Sequence, residues 1–406
     1  MGAYVSRAEC QSHYNVTLNC TIRARKNGTI YALGNIAKHE FEGDGDIAGI
    51  GIFSTFIGVT SFALLLSFVV VILGMIKHRI FPFQRCGDGF VLEDNTTAPS
   101  KKKIKPGVSE IFQAMVLSCS DAQIFTGAAY ALTLRYFRGC TITAYHYNIV
   151  ANLMLLTCAT HLMAITVVRN YWEYAWLALF RVICKTGVFL VTGLLLSNQN
   201  ADLKDVFPTK IPPAGDTKTP LFLAAACFQS NETELGTTIR TSLMAENAKN
   251  AFLFSTPANR IEGWNKFLII LLWYIVAVAM EVAMFIRKGN RRNGYRKRMV
   301  EAFWRVMQRT IRHLKWIGHY VLTIYYLCGI GICMWTVAES GNYVGKLKQW
   351  VQDSGWLKPN EYGLNPENDA TSFGQLVPIF TSGLVLFTFL EMISSKSLLT
   401  YLVDPG

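Results

Sequence analysis

Apolar and polar positions in this chain alternate on a scale of tens of residues, with long apolar runs separated by segments rich in charge. A helix crosses a hydrocarbon core about 30 Å thick with roughly 20 predominantly apolar residues, and seven runs reach that length. They lie at about 48–76, 111–134, 145–168, 174–196, 267–286, 316–337 and 373–393. The first is free of charge from Ala48 to Ile76. Arg181 and Lys185 interrupt the fourth, both in its first half, where snorkelling would carry their charges towards the near interface. The pattern predicts an all-α, polytopic membrane protein. It reads as a seven-transmembrane-helix bundle over 48–393, with a polar tail at 1–47 and a short tail at 394–406. The first 47 residues lack the apolar stretch of a cleavable signal, so the first span is expected to act as its own insertion signal.

Composition agrees with this layout. The chain of 406 residues is 51% hydrophobic and only 16% charged, against about 25% charged in soluble domains. The seven runs hold 163 residues but only five of the 66 charges, so the segments between them are as charged as a soluble protein. Its aromatic content and positive mean hydropathy exclude a disordered chain.

The net charge of +12 reports orientation. Segment 77–110 carries seven Lys/Arg and 287–315 carries eleven, whereas 135–144 and 338–372 carry two and three. By the positive-inside rule the N-terminus faces the outside or lumen and the C-terminus the cytoplasm. Glycosylation acceptors at Asn15, Asn19, Asn27 and Asn231 fall on the outer side, and Asn95 falls inside, where it should be silent. On the outer side, loop 197–266 opens with a stretch around Pro208, Pro212, Pro213 and Pro220 and is expected to cap the bundle. On the inner side, Arg296, Lys297 and Arg298 precede Phe303, Trp304, Met307, Ile311 and Leu314 at helical spacing. That predicts a basic amphipathic helix on the anionic leaflet, not a nucleic-acid surface, since no recognised nucleic-acid fold accompanies the charge.

Five of the ten cysteines (Cys119, Cys158, Cys184, Cys328 and Cys333) lie in spans and read as small buried apolar residues. Cys10, Cys20, Cys140 and Cys227 face the oxidising side, which allows two disulfides, with Cys140–Cys227 as one candidate pair. Cys86 stands alone on the cytoplasmic side.

Ionisable groups at membrane depth are costly and are functional candidates by default. Asp121 lies near the middle of the second run, Glu281 in the fifth and Glu391 in the seventh. With this orientation Glu281, Glu391 and His161 of the third run occupy the cytoplasmic half, and the four groups converge on one polar pocket if the bundle brings their spans together. Structural hydrogen bonding between helices would account for the same residues. His146, Asn148 and Asn152 approach the outer end of the third run, and Tyr325, Tyr326 and Trp273 are aromatic groups suited to line a cavity. No Walker A, dinucleotide-binding glycine, His-Glu-x-x-His, Gly-x-Ser-x-Gly or Cys-x-x-Cys pattern occurs, which argues against ATP-driven transport and zinc proteolysis. No lysine lies in the seventh run to form a retinal Schiff base, and Asp-rich diphosphate–metal motifs are absent. The sequence therefore calls for no metal and no cofactor, and isoprenoid chemistry here would begin by protonation.

Three stretches carry a family resemblance: Leu117 to Ala128, containing Ser120-Asp121-Ala122-Gln123 and Gly127; Ala144 to Val150, containing Tyr145-His146; and Thr160-His161-Leu162 followed by Val168-Arg169-Asn170-Tyr171. Over about a quarter of the chain it resembles a large group of fungal multi-span membrane proteins that share Ser-Asp-x-Gln-x-x-x-Gly, Tyr-His and Thr-His-Leu segments. A subset of that group resembles the integral-membrane terpene cyclases of meroterpenoid secondary metabolism. The resemblance implies an isomerase-type, metal-independent, proton-initiated cyclase acting on a prenylated, sometimes epoxidised, aromatic or polyketide intermediate. Its partners would be a lipophilic substrate, membrane lipids and other enzymes of a biosynthetic cluster, and its site the endoplasmic reticulum or another secretory-pathway membrane. Burial in a low-dielectric span favours a protonated carboxyl, which makes Asp121 the first candidate acid, with Glu281 and Glu391 as alternates. Tyr325, Tyr326 and Trp273 would shield the cation, and His146 and Asn152 would contact substrate. The alternative is an orphan seven-helix receptor of the G-protein-coupled type. Against it, no acid precedes Arg169 and the seventh run lacks Asn-Pro-x-x-Tyr. A channel or transporter using the same acids has no filter or broken-helix signature.

Overall fold

The computed structural model describes residues 6–76, 108–168, 171, 175–196, 207–215, 219–228, 261–289, 315–359 and 365–369, with short pieces between 375 and 390. The chain is mostly helical. After α1 (Arg7–Tyr14) come β1 (Ile22–Ala24), β2 (Ile30–Leu33) and β3 (Ile36–Ala37), then α2 (Gly45–Ala48), α3 (Ile50–Ile76) and α4 (Val108–Leu132). The remaining helices are α5 (Ala144–Val167), α6 (Ala175–Leu196), α7 (Trp264–Gly289) and α8 (Lys315–Asp353). Among the described residues, four helices are long and apolar enough to cross a membrane, over Gly45–Gly74, Ala144–Val167, Trp176–Leu196 and Trp264–Val282. Helices α4 and α8 cover the second and sixth apolar runs and are more polar than these four. Of the seventh run only pieces are described. The tail 394–406, the basic segment 290–314, Glu391, Asn231, Asn95 and Cys86 lie outside the described residues.

Helix α5 is the hub. Every one of its 24 residues is buried, and α3, α4, α6, α7 and α8 all pack against it. The outward faces of the surrounding helices are apolar. Trp176, Phe180, Ile183 and Leu190 of α6 are each more than half exposed, as are Leu65 of α3, Phe125 of α4 and Leu272 and Ile275 of α7. Apolar surface of that extent outside and polar residues inside is the distribution a lipid solvent selects. Close approach between α6 and α7 depends on Gly193, where an added Cβ would stand 2.8 Å from the Phe267 ring.

The segment read as a polar tail is ordered from residue 6. Ser6 caps α1 by accepting from the Glu9 N–H at 3.2 Å, while the Glu9 carboxylate accepts from the Ser6 N–H. An antiparallel sheet in the order β1-β2-β3 follows. Gly34 joins β2 to β3 at φ +59°, with the Asn19 carbonyl too close to admit a Cβ. Asn15 and Asn27 are exposed, while Asn19 is half-buried and its amide donates to Asn35.

Two expectations from sequence are corrected here. Helix α8 does not stop near residue 337 but continues to Asp353, so the first part of 338–372 is helix and not loop. Tyr343, Val344, Leu347, Trp350 and Val351 are buried at helical spacing, and that apolar stripe keeps the helix packed after its polar residues have left the hydrophobic zone. The cysteines pair as Cys10–Cys140 and Cys20–Cys227. Cys140 and Cys227 are both oxidised, but each to the N-terminal module and not to one another, because that module folds down between their two loops. Of the cysteines placed in spans, Cys119, Cys158 and Cys333 are buried, whereas Cys184 is half-buried and Cys328 is exposed.

The cap is completed by described parts of 207–228. The Ala144 and Tyr145 N–H groups donate to the Leu223 and Leu221 carbonyls, and the Ala225 N–H donates to Ile142, so this loop closes the start of α5. Phe222 meets Phe41 at a tilt, 4.5 Å away, and stacks on Trp356 at 5.2 Å, joining the N-terminal module, the loop and the segment after α8. The disulfides span sequence separations of 130 and 207 residues, so each restricts a long loop in the unfolded chain. Cys10→Ala and Cys20→Ala are each expected to lower stability by about 2–4 kcal/mol in thermal unfolding, and non-reducing peptide mapping should recover these two links and no Cys140–Cys227 peptide.

Candidate functional site

A helix buried on all sides must find partners for its polar groups, and the partners chosen by α5 define two sites. The residues that carry the resemblance take part in fastening it. Ser120 Oγ lies 2.9 Å from His161 Nδ1, Gln123 Nε2 donates to Thr60 Oγ1 at 3.0 Å, and Thr160 donates to the same Thr60 oxygen at 3.2 Å. An added Cβ on Gly127 would stand 3.3 Å from Thr157, so α4 and α5 are in close contact there. Asp121 accepts from Arg181, with Nε at 2.8 Å and Nη2 at 2.7 Å from Oδ2. Ser120, Asp121 and Gln123 of the Ser-Asp-x-Gln-x-x-x-Gly segment thus each bond to another helix, and Gly127 packs closely against one.

The first site lies among α4, α5, α6 and α7. Arg181 and Lys185, one turn apart on α6, were expected to snorkel towards the interface; both instead turn into the bundle. Arg181 meets Asp121, and Lys185 is wholly buried, its ammonium 5.1 Å from the centre of the Tyr171 ring. The cause is the polar interior, where Asp121 offers a charge that the interface on that side does not bring closer. His161 is fully buried, with Nδ1 2.9 Å from Ser120 Oγ and Nε2 without a hydrogen-bond partner among the described residues. Glu281 of α7 is buried at 7% exposure and makes no salt bridge among the described residues. Trp273, two turns before Glu281, stacks on Tyr325 at 5.5 Å, and Tyr326 meets Tyr325 edge-on at 5.3 Å.

The second site closes the outer end. Glu367, 1% exposed, accepts from the Tyr145 hydroxyl at 2.7 Å and lies 3.2 Å from His146 Nε2. The same Nε2 is 3.3 Å from the Asp44 N–H, and Nδ1 is 3.0 Å from the Thr143 hydroxyl. Lys348 donates to the Ala48 carbonyl nearby. Fifteen positions of helix, roughly 22 Å at 1.5 Å per residue, separate His146 from His161. His146 therefore belongs to the cap and does not join the inner acids. Asn152, between the two, donates to the Asn148 carbonyl of its own helix at 3.0 Å.

The structure places Asp121, His161, Glu281, Trp273, Tyr325 and Tyr326 away from the end of the bundle that holds His146, and leaves His146 and Asn152 out of that group. Sequence reasoning missed Glu367, which sits in the polar run Asn365-Pro366-Glu367-Asn368 and reads as a solvated turn. It also treated Arg181 and Lys185 as interruptions, although two cations in an apolar run opposite a buried acid are themselves a signal of a polar interior. No protein-family model, no curated protein and no solved structure matches the chain.

Chemically, the two acids differ. Asp121 is half-buried and a partner in an ion pair, whereas Glu281 is buried, two turns along α7 from Trp273, and makes no salt bridge among the described residues. Arg181→Met is expected to destabilise the protein by roughly 1–3 kcal/mol by stranding Asp121. The double change Arg181→Met with Asp121→Asn should recover most of the loss. A double-mutant cycle by thermal unfolding checks this, and additive losses would show that the pair contributes nothing.

Proposed function

We propose that the chain is an integral-membrane enzyme that protonates a lipophilic prenylated substrate and so starts its cyclisation, with Glu281 as the acid. The observation that carries this reading is Glu281 itself: a buried carboxyl without a basic partner among the described residues, on the same helix as Trp273, which stacks on Tyr325. Transfer of its proton to a terminal olefin or to an epoxide oxygen leaves a carboxylate and a carbocation on the substrate. Ring closure follows as a π bond of the chain attacks the cation, and loss of a proton from the final cation balances the step as an isomerisation. Aromatic faces stabilise such a cation and keep water from it. Asp121 passes from first candidate acid to structural partner of Arg181.

The proposal takes the chain as seven spans with an outer N-terminus and an inner C-terminus. Two features support it: the four disulfide-bonded cysteines all fall in segments that loop charge assigns to the oxidising side, and so do the exposed acceptors Asn15 and Asn27, which would carry glycans. The likeness to fungal multi-span proteins in spans two to four supports the substrate class. The endoplasmic reticulum is the membrane in which an upstream prenyltransferase and monooxygenase would hand over the substrate.

Microsomes containing the full chain test this with a prenylated phenol and its terminal epoxide. Glu281→Gln is expected to lower cyclisation about 100-fold or more, whereas the Asp121→Asn, Arg181→Met pair should keep turnover within a few-fold of the parent. Unchanged cyclisation by the Glu281→Gln protein, or none by the parent with either substrate, would refute the reading.

A further inference from the structure

Helix α4 keeps one face out of the bundle. Met115, Cys119, Gln123 and Gly127 are buried on its inner side, whereas Ala114, Phe125 and Ala129 are exposed and Ser118 and Asp121 are half-buried. Positions 114, 118, 121, 125 and 129 recur at helical spacing, so they form a single outward stripe. Helix α4 lies alongside α3 and α5, both of membrane-crossing length, and Asp121 falls near the middle of Val108–Leu132. The stripe therefore faces lipid, as Phe125, 74% exposed one turn after Asp121, befits.

An ion pair sits in the middle of this stripe. Arg181 reaches Asp121 across the seam between α4 and α6, yet the two side chains keep 22% and 28% of their surface exposed. Nε and Nη2 of Arg181 both go to Asp121 Oδ2, and among the described residues Nη1 has no partner. The Ser118 hydroxyl, one turn before Asp121 on the same stripe, makes no hydrogen bond among the described residues either. In water such exposure would cost little. In hydrocarbon, donors without acceptors and the open side of an ion pair are costly, so a polar partner from outside the chain is called for.

The same surface turned through 180° supplies that partner. A two-fold axis along the membrane normal leaves every residue at its own depth, and a face made of two helices side by side then meets itself with α4 opposite the other copy's α6. Arg181 of each copy comes to face the Asp121 and Ser118 of the other, a donor against two acceptors and a cation against an anion. A lipid phosphate fits less well, because Asp121 holds Arg181 at mid-depth, away from the headgroups. Ala114, Ser118 and Ala129 are small enough to let a second helix approach closely. The exposed Trp176, Ile183 and Leu190 of α6 lie on the far side of that helix from Arg181 and stay in lipid.

We infer that the α4–α6 seam is the surface through which two copies of this chain pair in the bilayer, with Ser118, Asp121 and Arg181 at its polar centre. The pairing rests on α4 being a membrane span and is independent of the chemistry given to Glu281.

Full-length protein, labelled in separate batches with a donor and an acceptor fluorophore and mixed in phosphatidylcholine vesicles, tests this. Energy transfer should follow the donor–acceptor ratio of a dimer and fall on dilution with lipid. Ser118→Phe, a bulky change at an outward position, should weaken association about tenfold or more, and Leu272→Ala on the exposed face of α7 should leave it unchanged. The exchange of Asp121→Arg with Arg181→Asp keeps the ion pair within each chain. Exchanged copies should pair with one another but about tenfold or more weakly with the parent, since like charges then face each other across the seam. Pairing of exchanged copies among themselves separates this loss from misfolding. A parent that stays monomeric at every dilution would assign Arg181 to lipid and overturn the inference. Association indifferent to Ser118→Phe, or equal pairing of the parent with exchanged and with parent copies, would overturn it as well. Cyclisation is not the readout, so failure here leaves Glu281 to its own test.

Discussion

The rest of the structure depends on a helix that has no exposed face yet carries polar side chains along its whole length. Helices buried on every side are ordinarily apolar all round. Helix α5 instead contains His146, Asn148, Asn152, Thr157, Thr160, His161 and Thr166, all buried. Thr157 and Thr166 donate to carbonyls four residues back on their own helix, which satisfies them without calling on a neighbour, while Thr160 is within reach of both its own Leu156 carbonyl and Thr60 of α3. The two histidines reach neighbours: His161 to Ser120, and His146 to the Asp44 backbone and Glu367. Those demands bring α4 to one side of the inner half and the loop after α8 to the outer end.

The same constraint explains where charge goes. With apolar side chains such as Trp176, Phe180 and Leu190 turned outward, the bundle interior is the more polar solvent, and Arg181 and Lys185 turn towards it. The division of labour among the ionisable groups follows. A carboxylate with a guanidinium on it, as at Asp121, holds helices together. Glu281, buried and without a salt bridge among the described residues, is the carboxyl to which the proposal gives the chemistry.

Much of the helical layout was legible because a run of apolar residues long enough to span a bilayer is a local property, and the runs at 48–76, 145–168 and 174–196 lie within two residues of α3, α5 and α6. Pairings between distant segments were not legible. Nothing in the spacing of Cys140 and Cys227 says that the N-terminal module folds between them, and nothing in Asn365-Pro366-Glu367 says that this acid is driven into the cap by Tyr145 and His146. The continuation of α8 was legible in the spacing of Tyr343, Leu347, Trp350 and Val351, but Glu339, Lys346 and Lys348 read more strongly as a loop. The convergence of Asp121, His161 and Glu281 was read from depth alone. Depth does not give rotation about a helix axis, so the pairing of Asp121 with Arg181, which separates the roles of the two acids, came only from the structure.

The central claim is that α5 is the buried hub of a lipid-embedded bundle. Membranes containing the protein can be exposed to a lipid-soluble photoactivated carbene and the labelled residues mapped by mass spectrometry. The account predicts labelling at Trp176, Phe180, Ile183 and Leu190 of α6 and none from Ala144 to Val167. Labelling of α5 to the same extent as α6, or no labelling of either, would contradict it.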